Sequence, residues 1–166
     1  MISLEKKYQA LLGQAQQRDL ADAQSMRLCF ELLSLSSAID RDCAARLAPH
    51  GLSEGRFVLL FLLDAAEGAA LAPNALAEQA GISRATVTGL LDGLQREGLI
   101  ERQPDAHDRR ALRIVLTAQG RRTARKVIAQ HSQWIAQLLA PLNSAERGQL
   151  QRLLGKIAAA MQEAAP

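Results

Sequence analysis

Aromatic side chains are scarce in this chain of 166 residues: one Trp, one Tyr and three Phe. A pocket for a ring-bearing ligand therefore has few rings to draw on. Cysteine is scarcer still, with only Cys29 and Cys43. Both fall on one expected helix, fourteen residues and about 21 Å apart at the α-helical rise, which excludes a disulfide between them if that helix is continuous. Their spacing matches no metal-ligand pattern, and no His or Cys cluster stands beside them in sequence. No metal or other cofactor is expected. The apolar run Phe57 to Leu63 spans seven residues, far short of the roughly 20 that cross a bilayer. Met1 to Lys7 leads into no apolar signal region, so a cytoplasmic chain without a membrane partner is expected. Gly-rich phosphate loops and nucleophile elbows are missing too, and no carboxylate pair sits in an apolar setting, so the chain is not read as an enzyme.

Charge is present but uneven. The net charge is +3, yet Gly81 to Lys126 holds ten Lys and Arg against five Asp and Glu, which leaves the remainder at −2. Cations gathered on one segment form the electrostatic footprint that phosphate binding requires. Length bounds the chain to one domain or one dimer-forming unit with a sizeable core. No internal repeat or low-complexity linker interrupts it.

The positive segment has a readable local structure. Ser83 can cap a helix in which Val87, Leu90, Leu91 and Leu94 recur at i, i+3, i+4 and i+7, with Gly98 ending it after Glu97. The opposite face carries Ala85, Thr88, Gly89, Asp92 and Arg96, with Arg84 and Thr86 on the flanks of the first turn, all small or polar. The run 75–80, preceded by Pro73-Asn74 and ended by Gly81, predicts a shorter helix before it, and two helices joined by a tight glycine turn make a helix-turn-helix. The runs 99–102 and 112–117 read as strands around a loop rich in turn formers, Gln103 to Arg110. A bare-faced helix followed by a positively charged hairpin is suited to a DNA groove and its phosphates. An ordinary solvated helix and a solvated hairpin tip satisfy the same residues taken singly, and His107 reads as a solvated loop residue.

The remaining chain is mostly helical: 3–17 as a possible separate extension, Asp22 to Leu47, Ser53 to Asp64, Ala118 to Ala140, and Asn143 to Met161 after a joint at Pro141-Leu142. The stripe Leu150, Leu153, Leu154, Ile157 and Met161 on the last helix needs a cover, either its own core or a partner subunit, and periodicity does not separate the two.

Taken together, residues 83–120 resemble the winged helix-turn-helix of the MarR (multiple antibiotic resistance regulator) family. The likeness lies in Ser-x-x-x-Val-Thr at 83–88, Leu-x-x-x-Gly-Leu-Ile-x-Arg at 94–102, Asp-x-Arg at 108–110 and Leu-Thr-x-x-Gly at 116–120; by pattern it extends from about Leu28 to Met161. It departs at Gly89, where many relatives carry a long polar residue. The resemblance implies a mainly α fold with a small β-wing, divided into N-terminal dimerisation helices (1–50), a winged helix-turn-helix (51–118) and C-terminal dimerisation helices (119–166). It implies a homodimeric repressor of pseudo-palindromic double-stranded operator DNA, released by a small, partly aromatic ligand. DNA contacts are then expected from Ser83, Arg84, Ala85, Thr86, Thr88, Gly89, Asp108, Arg109 and Arg110. The effector pocket is expected near Phe30, Phe57, Phe61, His131 and Trp134, each of which also suits plain core packing.

Two alternatives remain. One is a ligand-blind architectural DNA binder, whose affinity falls steeply with salt and shows little sequence preference. The other is a peroxide sensor: Leu28-Cys29-Phe30 resembles the start of the hydroperoxide-sensing branch of the family, in which tyrosines polarise the thiol. Here the lone Tyr8 stands well upstream, and Cys29 among Leu and Phe is read first as a buried, inert hydrophobe.

Overall fold

Pro73 opens one helix and Gly81 follows its end, while Gly98 follows the end of the next, both glycines at positive φ. The computed structural model describes residues 3–18, 22–105 and 112–163. Helices α1 (Lys6–Gln17) and α2 (Ala23–Leu47) come first, followed by a 3-10 turn at Ala48–His50, then α3 (Glu54–Ala65), α4 (Pro73–Ala80) and α5 (Arg84–Arg96). Strands β1 (Ile100–Pro104) and β2 (Leu112–Leu116) precede α6 (Ala118–Leu138) and α7 (Ser144–Glu163). This is the mainly α fold with a small β-wing that the sequence predicts. No helix among the described residues is long and apolar enough to cross a membrane.

The core is built around α3, whose Phe57, Leu59, Leu60 and Leu63 are buried. Ser53 caps it by accepting the Arg56 N–H. Around it close Leu47 and Leu52, Leu76 of α4, Val87, Leu91 and Leu94 of α5, Ile100 and Ile114 of the wing, and Ala124 and Val127 of α6. Each fully buried Leu or Ile contributes about 1.5–3 kcal/mol over its exposed state. The strands pair antiparallel in the register Ile100 to Leu116 and Pro104 to Leu112. A third partner is Leu71, which exchanges two backbone hydrogen bonds with Ile114 at 2.8 and 3.0 Å.

Helix α1 is no separate extension. It folds back antiparallel along α2: the Glu5 N–H donates to Ser34 Oγ at 3.3 Å, Arg41 reaches the Glu5 carboxylate at 3.3 Å, and Tyr8 stacks on Phe30 with ring centroids 4.9 Å apart. Lys7 and then Arg41 hold the Glu5 carboxyl below its ordinary range. Only Leu12 and Ala15 of α1, and Ser34 and Leu47 of α2, are buried, and α7 buries nothing.

Candidate nucleic-acid interface

Helix α5 is fixed at both ends by its own residues. Ser83 Oγ accepts the Thr86 N–H at 3.1 Å, satisfying a donor that the first turn leaves unpaired. At the other end Gly98, with φ of +69°, adopts the left-handed turn that leads into β1. Val87, Leu91 and Leu94 are buried, so Ser83, Arg84, Ala85, Thr86, Thr88, Gly89, Asp92 and Arg96 are left exposed together. Two hydroxyls on this face are already engaged, Thr86 with Ser83 at 2.8 Å and Thr88 donating to the Arg84 carbonyl at 3.0 Å. The Arg84 guanidinium makes no ion pair among the described residues.

The helix is held in position by contacts that periodicity does not reveal. Arg56 of α3 donates to Glu97 at 2.6 Å and to the Gly51 carbonyl at 3.1 Å, and its guanidinium lies directly against Gly93, where an added Cβ would collide with it. Arg102 of β1 reaches Asp92 at 2.5 Å, tying the wing to the exposed face of the helix. Asp92 and Arg102 were both visible in the sequence; their pairing was not, because ten residues and a change of element separate them.

The wing base explains the Leu-Thr-x-x-Gly motif. Thr117 caps α6 by accepting the Gly120 N–H at 2.9 Å and donates to the Gly98 carbonyl at 2.7 Å, while its own N–H reaches the Leu99 carbonyl at 3.1 Å. A Cβ at Gly120 would overlap the Leu99 carbonyl, so the close approach of α6 to the strand entrance requires glycine. Arg113 of β2 anchors the hairpin to Asp105 at 2.5 Å and to the Ala70 carbonyl at 3.0 Å. Asp108, Arg109 and Arg110, expected at the wing tip, lie outside the described residues, as does His107.

A MarR family profile matches residues 50–111. The HTH-type transcriptional repressor YetL of Bacillus subtilis (strain 168) is 31% identical over 151 residues, which span 91% of this chain and 90% of YetL. The chain belongs to the MarR family. The transcriptional repressor MprA of Escherichia coli (strain K12) is 30% identical over 79% of this chain and 73% of its own length. Among solved structures, the S. aureus MepR-DNA complex superposes with a TM-score of 0.67 over 80% of this chain and 95% of that one, at 22% identity, and so shares the fold. AbsC of Streptomyces coelicolor does the same at 0.70, with 22% identity, over 84% and 96%. The chain is a DNA-binding transcription regulator, and its relatives regulate transcription rather than catalyse reactions.

The regulator divides the five expected effector residues between two places. Phe57, His131 and Trp134 form one cluster, with centroids 4.6 Å apart from Phe57 to His131 and 5.1 Å from His131 to Trp134; Phe61 joins edge-on to Phe57 at 6.3 Å. Phe30 stands apart, against Tyr8. Beside the cluster an open cleft of about 370 Å³ runs between α2 and α6, bordered by Arg46, His50, Gln130, His131 and Trp134. Asp42 accepts the Trp134 indole N–H at 2.7 Å and the Arg46 guanidinium at 3.1 Å, while Arg46 lies 5.4 Å from the Trp134 ring centre.

Cys29 differs from expectation, and Cys43 has a neighbour distant in sequence. Cys29 is exposed in the chain, not buried, because α2 turns its Ser34 side to α1 and leaves Cys29 on the opposite flank with Leu28 and Leu33. Cys43 has a neighbour that sequence proximity could not reveal: its Sγ lies 3.5 Å from His131 Nε2, across 88 residues. Burial raises the Cys43 thiol pKa, reinforced by Glu54, Asp40 and Asp42, and burial lowers that of His131 against the pull of Glu54. The pair therefore rests as neutral thiol and neutral imidazole at physiological pH. Helix α2 is continuous across both cysteines, which keeps them apart.

Proposed function

We propose that this regulator is a homodimeric repressor that holds a pseudo-palindromic operator and releases it when a small, partly aromatic ligand binds. The observation that carries the dimer is α7: a 20-residue helix with no buried residue, whose Leu150, Leu153, Leu154, Ile157 and Met161 all face solvent in the single chain. Leu28, Leu33 and Leu35 of α2, Ile135 and Leu138 of α6, and Leu139 just after it are exposed as well. Apolar surface on this scale marks an interface. Residues 1–50 and 119–166 then serve dimerisation, and 51–118 read DNA. A two-fold pair presents two α5 helices to two half-sites.

In this reading Arg84, Thr86 and Thr88 address base edges, Ser83, Ala85 and Gly89 line the contact, and Asp108, Arg109 and Arg110 engage the neighbouring groove or its phosphates. The ligand enters the cleft beside His131 and Trp134, where Arg46 supplies a cation and Trp134 a ring face. Cys29 on an exposed apolar flank serves the dimer contact and not a sensor.

Selection of duplexes from a random pool, followed by titration with phenolic acids and with an organic hydroperoxide, tests the whole. A selected palindrome released by a phenolic acid, with Arg84→Ala or Thr88→Ala losing about 1–3 kcal/mol of cognate affinity, supports the reading. Salt-steep binding without a preferred site indicates the architectural alternative. Release by hydroperoxide that disappears in Cys29→Ser indicates the thiol sensor.

A further inference from the structure

Helix α5 carries a glycine that its own fold does not need. The two buried glycines nearby have structural reasons, Gly93 beneath Arg56 and Gly120 against the Leu99 carbonyl. Gly89 has none: an added Cβ would meet no atom within 4 Å, and its φ is not positive. Mid-helix glycine lowers helix stability against alanine, so the fold alone would favour a side chain there.

Position explains what stability does not. At about 100° per residue, Ala85, Gly89, Asp92 and Arg96 lie within about 30° of the direction opposite the buried stripe. Gly89 is thus near the outermost line of the helix, and every neighbour on that line is longer or charged except Ala85. The one carboxylate there, Asp92, is drawn to Arg102 of the wing at 2.5 Å, which offsets a charge that phosphates would repel. Thr86 and Thr88, on the flanks, have their hydroxyls turned to Ser83 and to the Arg84 carbonyl. Ala85 and Gly89 themselves, therefore, present no donor beyond the backbone and nothing bulkier than a methyl to solvent.

We propose that Gly89 is a specificity-determining residue: its missing side chain lets the α5 backbone settle against the groove floor, where the bare Gly89 and the Ala85 methyl accept the C5-methyl of thymine. The thymine methyl is the apolar group that the major groove offers, and a surface without donors or acceptors is suited to it. Glycine serves here as it does wherever a backbone must approach a ligand closely. The inference rests on α5 being the reading helix, and Arg84→Ala tests that premise separately.

The experiment uses the full chain and the duplex it selects from a random pool. Gly89→Ala is expected to fold and to melt about 2–4 °C higher, yet to bind the selected duplex at least about tenfold more weakly. Replacing the half-site thymines with deoxyuridine, which removes only the methyl, is expected to weaken wild-type binding several-fold. Binding by Gly89→Ala within twofold of wild type overturns the proposal, as does indifference of wild type to deoxyuridine. If Gly89→Ala binds normally while Arg84→Ala loses affinity, the reading helix stands and only the role of Gly89 falls; if neither variant loses affinity, the reading helix itself is misassigned.

Discussion

Helices α5 and α7 carry nearly the same apolar script and meet opposite fates. In α5, Val87, Leu90, Leu91 and Leu94 recur at helical spacing, and Leu91 and Leu94 are 1% and 0% exposed. In α7, Leu150, Leu153, Leu154 and Ile157 recur at i, i+3, i+4 and i+7 as well, yet they are 38–49% exposed. Periodicity therefore states that a face must be covered and is silent about what covers it. For α5 the cover is α3, α4 and the wing of the same chain. For α7 no element among the described residues buries that stripe.

The sharpest way to break this symmetry is to make equivalent changes on both helices. Leu94→Ala should cost about 2–5 kcal/mol, because it empties a fully enclosed site; chemical denaturation should show the loss at any protein concentration. Leu154→Glu combined with Ile157→Glu should leave the winged helix folded by circular dichroism but convert the protein to monomers on sedimentation. Affinity for a palindromic duplex should then fall by about 100-fold, as two linked half-site contacts become one. A double variant that remains dimeric would show that α7 covers itself in some other way.

The smallest effect concerns the junction of α2, α3 and α6, where His131 touches Phe57 and Cys43. Its folded-state pKa lies below the ordinary 6.5 because burial disfavours the cation. An unfolded chain takes up that proton first, so the stability due to neutral His131 is complete above about pH 6.5 and declines as pH falls toward the folded value. Urea midpoints measured from pH 7.5 to 5.5 should drop more in wild type than in His131→Gln. Equal slopes would mean that His131 does not titrate in this window.

What the sequence made legible was local. Ser83, Pro73 and Gly98 mark helix ends through their own backbone preferences, and the stripe of α5 names its buried face. Contacts between distant residues were out of reach: Cys43 with His131, Arg56 with Glu97, and Leu71 added to the wing each depend on how whole elements dock. Cys29 shows the limit most clearly. Its apolar neighbours suggest a core, but α2 has its apolar residues on more than one side, and only docking against α1 decides which side closes. The exposed face of α5 was legible because everything on it follows from one helix, whereas the clamp formed by Asp92 and Arg102 was not.

The joint at Thr117 has a mechanical consequence. Thr117 belongs at once to the end of β2, through the Gly98 and Leu99 carbonyls, and to the first turn of α6, through the Gly120 N–H. From that joint α6 runs unbroken past His131 to Trp134, about 25 Å away at the helical rise. The wing base and the aromatic cleft are thus opposite ends of one rigid rod with no hinge between them. A tilt of α6 at the cleft would move the wing base with it, because Gly120, packed against the Leu99 carbonyl, leaves no room for a side chain between them.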